Sequence, residues 1–238
     1  MNPRELNSNT KNFLGTYPNT YTYTKALCEK LLKRRKGDLP VCLIRPAIIN
    51  TSYSQPFPGW LDSIAAAAAY FMFVGLGIIK EAQSEPNFIS DTVPVDIVVA
   101  NIIVASAFNA FSKNLNIYHV GSSDRNPLQW GQIQKIVLDF WNANPSQSRI
   151  SKANVLLSNS KTRVRLNELK RTIPNWVYSK TAPYLGTQHV KNVQRLEKAE
   201  KRAKEIKQIF HFFVSGEWIY ECRRMLEMQS WLTESDRA

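Results

Sequence analysis

Residues 20–49, TYTYTKALCEKLLKRRKGDLPVCLIRPAII, combine the two kinds of element that indicate the fold class of this chain. The leucines of residues 20–36 recur at helical spacing, and a basic run followed by Gly37 marks the end of the predicted helix. The runs of residues 41–44 and 48–49 are short, apolar and rich in β-branched side chains, which is typical of a buried strand in a parallel sheet. A helix followed by such a strand is half of an alternating α/β pattern.

The composition favours a folded protein from a reducing compartment. The chain has 238 residues, of which 44% are hydrophobic, and this length suits one large domain or two small ones. Six tryptophans and eleven phenylalanines need burial, which argues against intrinsic disorder. Three scattered cysteines are too few for a disulfide scaffold or a cysteine-rich metal site. Residues 1–11 are polar and do not resemble a signal peptide, so an intracellular protein is expected.

The alternation of helices and strands continues downstream. Residues 64–79 carry no charge, but a membrane-spanning helix needs about 20 apolar residues. A buried helix followed by a glycine-rich turn is therefore predicted for this run. Further helices are expected over residues 94–111 and 128–141, with a buried strand over residues 116–120 between them.

The last third of the chain differs in charge. Residues 151–238 hold 17 Lys and Arg against 9 Asp and Glu, and so contribute most of the net charge of +12. Residues 146–160 are polar and are interpreted as a linker, and residues 190–213 show the apolar face of a long helix. The basic region could face nucleic acid, a membrane surface or a phosphorylated ligand, or it could be a solvated surface. No nucleic-acid reading motif accompanies it, so nucleic acid is not expected.

Tyr21 and Lys25 are four residues apart on the first predicted helix, so their side chains share a face. In reductases that use this pair, the tyrosine hydroxyl protonates the carbonyl oxygen of the substrate as hydride reaches the carbonyl carbon. A lysine ammonium a few ångströms away makes loss of the hydroxyl proton easier, and it can also bind a ribose. With nine tyrosines in the chain, one such spacing arises by chance with roughly even odds, so the surrounding sequence has to decide.

The surrounding sequence closely resembles fatty acyl-CoA reductases, members of the extended short-chain dehydrogenase/reductase superfamily. Five segments carry the resemblance in the right order: YPNTYTYTKALCE (residues 17–29), LPVCLIRPAII (39–49), QPFPGWLD (55–62), DTVPVDIV (91–98) and the strand and turn of residues 118–131. Residues 212–237 resemble the family's helical C-terminal domain more weakly.

The resemblance implies a fold class and a domain division. Residues 1–150 are expected to be the C-terminal half of a Rossmann-like reductase domain with its substrate lobe. Residues 151–238 are expected to be a mostly helical C-terminal domain, truncated at its end. The family's glycine-rich phosphate loop and catalytic Ser or Thr precede its Tyr-x-x-x-Lys, and only twenty residues precede Tyr21 here. We therefore expect a fragment that alone does not hold NADPH well.

The resemblance also implies an activity, which belongs to the full-length parent. It is the NADPH-dependent reduction of a long-chain fatty acyl-CoA, through an aldehyde, to a primary alcohol, as in wax and other lipid metabolism. Tyr21 would donate the proton and Lys25 would tune it, both next to the cofactor. The expected location is the cytoplasm or the surface of a membrane, in a eukaryote the endoplasmic reticulum or the peroxisome.

Other residues receive roles by the same resemblance. Pro46, Ala47 and Ile48 follow the strand, where a related reductase places its backbone near the nicotinamide. Phe57 and Trp60 could shape the acyl channel or could simply be buried aromatics. Residues 64–79 could likewise line a cavity for the acyl chain or belong to the core.

Three further residue types are expected to be structural. Arg45 is interpreted as an ion-pair residue, and Asp96 as a residue of a helix's first turn. The spacing of the three histidines, His119, His189 and His211, does not resemble a metal site, so no metal is expected.

Two alternative functions from other functional classes remain open at this point. One is a thioester reductase that acts on a carrier-bound acyl group. The other is a non-catalytic basic module that binds a membrane or nucleic acid.

Overall fold

A computed structural model describes Thr10, residues 12–64 and residues 66–236. In chain order the elements with assigned bounds are α1 (Thr20–Arg35), β1 (Cys42–Pro46), β2 (Ile48–Asn50), α2 (Ala66–Gly75), β3 (Glu81–Ala82), β4 (Thr92–Pro94), α3 (Val95–Phe108), β5 (Asn116–Val120), α4 (Trp130–Ala143), β6 (Leu156–Leu157), α5 (Lys161–Leu185), α6 (Thr187–Val214), α7 (Arg223–Gln229) and a 3-10 turn (Glu234–Asp236). The alternation of helices with short strands is that of an α/β protein, as the sequence predicts.

The chain divides into two compact units, each built from separate stretches of sequence. The first unit comprises Met1–Arg45, Ile102–Tyr118 and Arg224–Ala238. The second unit comprises Pro46–Asn101 and His119–Arg223.

The first unit contains α1, which begins and ends as its sequence predicts. Asn19 caps its N-terminus, because the side-chain oxygen accepts a hydrogen bond of 2.9 Å from the backbone N–H of Thr22. Lys33, Arg34 and Arg35 occupy the last turn, where positive charge complements the helix dipole.

The strand that follows α1 is less buried than its apolar sequence suggests. β1 pairs with β5, and in the described part of the chain this sheet has two strands. Both strands are therefore edge strands, and the residues of β1 are half-buried or exposed. Leu27 and Leu31 of α1 are likewise exposed.

The second unit holds two short parallel pairs of strands. β2 pairs with β4 so that Ile48 lies opposite Thr92, and β3 pairs with β6 so that Glu81 lies opposite Leu156. Parallel pairing with helices as crossover connections is the pattern of a Rossmann-like sheet.

The core of the second unit forms around the uncharged helix α2. Its buried residues come from α2 and the turn after it, from β3, from α4, from the position just before β6 and from α6: Tyr70, Phe73, Val74, Ile78, Ile79, Ala82, Trp130, Ile133, Val155, Ala203 and Val214. The prediction of a buried helix ending in a glycine turn is confirmed, since Gly77 has a φ of +70°.

The segment interpreted as a linker is instead part of this unit. Residues 146–160 contain β6, and Ala153 and Val155 are buried. The Ser151 hydroxyl donates to the Gly77 carbonyl at 2.9 Å, and the Ile150 N–H donates to Leu76 O at 2.9 Å. Polar residues that satisfy backbone groups of a neighbouring turn resemble a linker in composition, which explains the difference.

A buried carboxylate joins the two long helices to this core. Glu81 in β3 is 0% exposed. It accepts hydrogen bonds from Lys207 Nζ of α6 at 2.6 Å, from Arg171 Nη2 of α5 at 3.5 Å and from Asn167 Nδ2 of α5 at 3.4 Å. A buried charge is tolerated only when it is paired and hydrogen-bonded, so this cluster fixes α5 and α6 against β3.

Candidate active site

The first turns of α1 present Tyr21 and Lys25 on one face of the helix. The Lys25 ammonium lies 5.8 Å from the centre of the Tyr21 ring. Both side chains are exposed, Tyr21 by 56%. The phenol and the ammonium can therefore contact the same ligand on this face of α1.

An ion pair ties this helix to the strand that follows it. Arg45 Nε donates to Glu29 Oε1 at 2.9 Å, and Arg45 Nη2 also contacts the Glu29 carboxylate. The hydrogen bond to Glu29 raises the pKa of the Arg45 guanidinium above its ordinary value. The prediction that Arg45 is an ion-pair residue is confirmed, and the pair fixes α1, with Tyr21 and Lys25, relative to β1.

In the second unit, the backbone of residues 46–48 is held by sheet hydrogen bonds. The Ala47 N–H donates to Val120 O at 2.8 Å, and the Ile48 N–H donates to Asp91 O at 3.1 Å. These two donors are used within the protein, so a ligand at this position would meet the side chains and carbonyls of the segment.

The loop that carries Phe57 and Trp60 is closed around Ser52. The Ser52 hydroxyl donates to Phe57 O at 2.7 Å, and the Trp60 N–H donates to the same hydroxyl at 3.1 Å. The Gly59 N–H adds a bond of 2.9 Å to Ser52 O. Phe57 is exposed and Trp60 is half-buried.

Asp96 holds the start of the same loop. Its carboxylate accepts backbone N–H bonds from Tyr53 at 3.0 Å, Ser54 at 2.8 Å, Gln55 at 3.0 Å and Ile97 at 3.1 Å. The bonds from Tyr53 and Gln55 are the main reason that the pKa of Asp96 lies far below its ordinary value. The prediction of a helix-start residue is confirmed, but its link to residues 53–55 was not foreseen, because no sequence pattern joins the two.

A second buried carboxylate escaped the sequence analysis. Asp91 is 1% exposed, and it accepts the Ser122 N–H at 2.8 Å, the Ser123 N–H at 3.3 Å and the Ser123 hydroxyl. The Ser123 hydroxyl in turn accepts the Tyr220 N–H at 3.0 Å. Asp91 thus secures the turn after β5 and the segment that leads from α6 to α7.

The predicted site residues fall into the two units. Tyr21 and Lys25 belong to the first unit. The second unit holds the others, namely Pro46, Ala47, Ile48, Phe57 and Trp60.

Residues 64–79 contribute buried side chains to the core of the second unit, in agreement with the alternative that they belong to the core. A cavity of about 460 Å³ in the second unit touches only Gly77 and Ile78 of residues 64–79, and polar residues such as Lys80 and Arg171 line much of it. In the part of the chain that the structure describes, no cluster of His, Cys, Asp and Glu could hold a metal ion. None of the described helices combines the length and the apolar character that crossing a membrane requires.

Parts of this chain match known proteins. Residues 1–102 match the model of the male sterility protein family, an NAD-binding domain. Fatty acyl-CoA reductase 1 of Xenopus laevis is 32% identical over 162 residues, which is 67% of this chain and 32% of that protein. The probable fatty acyl-CoA reductase 5 of Arabidopsis thaliana is 37% identical over 137 residues, 57% of this chain and 28% of that protein.

A third relative aligns with the whole chain. Fatty acyl-CoA reductase 1 of Gallus gallus is 28% identical over 242 residues, which is 100% of this chain and 46% of that protein. The chain thus spans from about a third to about half of the length of the curated relatives it matches.

The α/β fold agrees with the NAD-binding domain that residues 1–102 match. Over the matched residues, the chain is similar to fatty acyl-CoA reductases of animals and plants.

Proposed function

We propose that the protein carrying this chain reduces a long-chain fatty acyl-CoA to a fatty alcohol, through the aldehyde, with NADPH. The observation that carries the proposal is the exposed Tyr21 with the Lys25 ammonium 5.8 Å from its ring, within a segment that matches a reductase family. The names of the relatives supply the substrate class.

The side chains on α1 fit a nicotinamide dinucleotide. A lysine ammonium has three donors that suit ribose hydroxyls, and Lys25 presents them on an exposed face beside a phenol. NADPH, when bound, supplies the hydride for each of the two reductions. In each reduction Tyr21 would donate its hydroxyl proton to the carbonyl oxygen as hydride reaches the carbonyl carbon, and Lys25 would stabilise the resulting phenolate until a proton from solvent restores the phenol. In the first reduction the C–S bond then breaks as the carbonyl re-forms, so that CoA leaves as its thiol and the aldehyde remains for the second reduction.

The other predicted residues are proposed as contacts of the cofactor and of the substrate. Pro46, Ala47 and Ile48 lie next to the nicotinamide in this proposal, through side chains and carbonyls, since the N–H groups of Ala47 and Ile48 bond within the sheet. Phe57 and Trp60 contact the acyl chain. Support comes from their loop, which Ser52 and Asp96 hold in one conformation while Phe57 remains exposed.

The organisation and setting of the protein complete the proposal. Residues 1–150 supply the reductase part, and residues 151–238 supply a helical C-terminal part whose long helices α5 and α6 pack within the second unit. The basic charge of residues 151–238 suits an anionic partner, which we take to be a membrane surface of the endoplasmic reticulum or the peroxisome.

The test is an assay of a protein that contains this chain and extends over the full length of its relatives. Purified protein is given palmitoyl-CoA with NADPH or NADH. The lipid products are separated, and their amounts are compared with the amount of CoA released. Fatty alcohol formed with NADPH is the expected result. Product formed only from an acyl group on a carrier protein would contradict the proposal in favour of a thioester reductase.

A further inference from the structure

Helix α5 carries an apolar stripe that its own unit leaves exposed. Six residues at steps of three, four, three, one and seven form it: Leu166, Leu169, Ile173, Trp176, Val177 and Tyr184. Trp176 is 60% exposed and Tyr184 is 91% exposed. At 100° per residue these six positions fall within about 100° of the helix circumference and extend over about 27 Å, and the exposed Lys180 lies on the same face between Val177 and Tyr184.

The opposite face of α5 is the one that packs on the second unit. Asn167 and Arg171 bind Glu81, and Asn175 donates to Glu200 of α6 at 2.7 Å. Ala182, on the same side, is 1% exposed. The helix is therefore already fixed through its polar side, and its apolar side faces away from the core of this unit, the reverse of an ordinary surface helix.

Basic residues border the stripe on both sides. Lys161 and Arg165 lie along one edge, Arg163 and Lys170 lie along the other, and all four are exposed. The whole helix has six lysines and arginines against one glutamate. An exposed apolar face with tryptophan and tyrosine, flanked by cations, is the pattern of a helix that lies in the interface of an anionic lipid layer.

The charge distribution favours lipid over a second copy of the chain. Two copies joined through the stripe would bring four basic residues of each helix close together, which costs electrostatic energy. An anionic lipid surface instead attracts the same residues, by about fivefold in affinity for each lysine or arginine near the surface.

We infer that the Leu166–Tyr184 face of α5 is the surface through which this protein docks on a membrane containing anionic lipid. The apolar stripe enters the boundary between headgroups and acyl chains, and the flanking basic residues contact lipid phosphates. This inference rests on the membrane partner proposed above, and it assigns that partner a specific surface, separate from Tyr21 and Lys25.

The test measures binding of the 238-residue chain to vesicles of phosphatidylcholine with and without phosphatidylserine. Three proteins are compared: the wild type, Ile173→Gln/Trp176→Gln in the stripe, and Ile136→Gln/Phe140→Gln as a matched control. Ile136 and Phe140 are exposed apolar residues of α4 in the same unit. Circular dichroism and the melting temperature establish whether each variant is folded. If the Ile173→Gln/Trp176→Gln variant is not folded, Tyr184→Gln takes its place.

The expected result is that the wild type and the α4 control bind vesicles with phosphatidylserine equally, while the stripe variant binds at least about tenfold more weakly. Arg165→Gln/Lys170→Gln should weaken binding by about tenfold or more, and only to anionic vesicles. In the wild type, brominated lipid should quench the fluorescence of Trp176. That part of the tryptophan signal is the part that the Trp176→Phe variant lacks.

Three results would overturn the inference. If the stripe variant binds as the wild type does, lipid docks elsewhere on the chain, and the membrane partner itself survives. If the wild type binds no vesicle, the proposal of a membrane partner is wrong as well. The proposal of acyl-CoA reduction is tested separately by the enzyme assay. If the wild type dimerises without lipid and the stripe variant does not, the face joins two copies of the chain.

Discussion

The Lys25 ammonium lies 5.8 Å from the centre of the Tyr21 ring, one turn further along α1. Arg45 and Glu29 hold the same helix to β1 by two side-chain hydrogen bonds. The position of the two proposed catalytic side chains therefore depends on a short helix whose start is capped by Asn19 and whose body is anchored by one ion pair.

Replacing Tyr21 should remove the proposed proton donor. In a protein of full family length, Tyr21→Phe is expected to lower kcat for alcohol formation by about 10²–10⁴-fold, because general acid catalysis contributes this much. KM for acyl-CoA should change little. The measurement is steady-state alcohol formation with NADPH.

Tyr23→Phe is the matched control for that experiment. Tyr23 is on the same helix, but its ring packs edge-to-face on Tyr17 with 5.5 Å between the ring centres. Its hydroxyl has no role in the proposal, so kcat should stay within about twofold of the wild type. Equal losses in both variants would point to damage to α1 and not to a lost proton donor.

Asp96→Asn should loosen the loop of residues 53–55 and lower the melting temperature at neutral pH. In the folded state the pKa of Asp96 lies below its value in the unfolded chain, so the charged carboxylate stabilises the fold above about pH 4. That contribution is lost as the pH falls through the acidic range. The difference in melting temperature between wild type and variant should therefore shrink between pH 7 and pH 3.

The exposed carboxylate of Asp62 offers a control in the same unit. Asp62→Asn should leave the melting temperature nearly unchanged across this range. A difference for Asp96→Asn that is constant with pH would mean that lost packing, and not lost charge, destabilises the variant.

Glu81→Gln should destabilise the second unit by about 2–3 kcal/mol, since it removes the charge that Lys207 and Arg171 share in a buried position. Urea unfolding followed by tryptophan fluorescence measures the change. Glu197→Gln, an exposed change on α6, should cost less than about 0.5 kcal/mol. If Glu81→Gln lowers the free energy of unfolding by as little as Glu197→Gln does, the cluster around Glu81 does not fix the two helices.

Gly77→Ala should destabilise the turn after α2 for two reasons. Gly77 has a φ of +70°, and an added Cβ would lie 2.3 Å from Ser151 O. Gly37 has a similar φ of +56° with nothing within 4 Å of its Cβ position, so Gly37→Ala isolates the cost of the backbone conformation, about 1–2 kcal/mol. Urea unfolding should show a larger loss for Gly77→Ala, and equal losses would exclude the clash.

The described helices downstream of Thr20 were predictable where local pattern and capping agree. The uncharged run of α2, the spacing of apolar residues in α4 and α6, and the cap at Asn19 all depend on neighbours within a few residues. These helices match their predicted bounds to within a few residues. Helix α5 was missed, although Leu166, Leu169, Ile173 and Trp176 recur at helical spacing. Pro174 and Pro183 lie inside it, and proline usually marks the end of a helix.

The candidate site was predictable to a different degree. The spacing of Tyr21 and Lys25 and their flanking residues lie in one short segment, so the sequence alone could single them out. The supports of the site could not be found this way. Asp96 binds backbone groups more than forty residues away, and Asp91 binds Ser122 thirty-one residues away, and no local pattern encodes such pairs.

The sequence by itself determined the α/β class, the reductase family, the pair on α1 and the excess of basic residues in the last third of the chain. Only the tertiary structure decided which faces of the described helices are covered and which are exposed. Glu81 draws α5 and α6 onto β3 through their polar sides, because a buried carboxylate must be paired. Because the polar side of α5 packs on β3, the apolar stripe of α5 faces outward. Trp176 and its neighbours are therefore exposed between two rows of basic side chains.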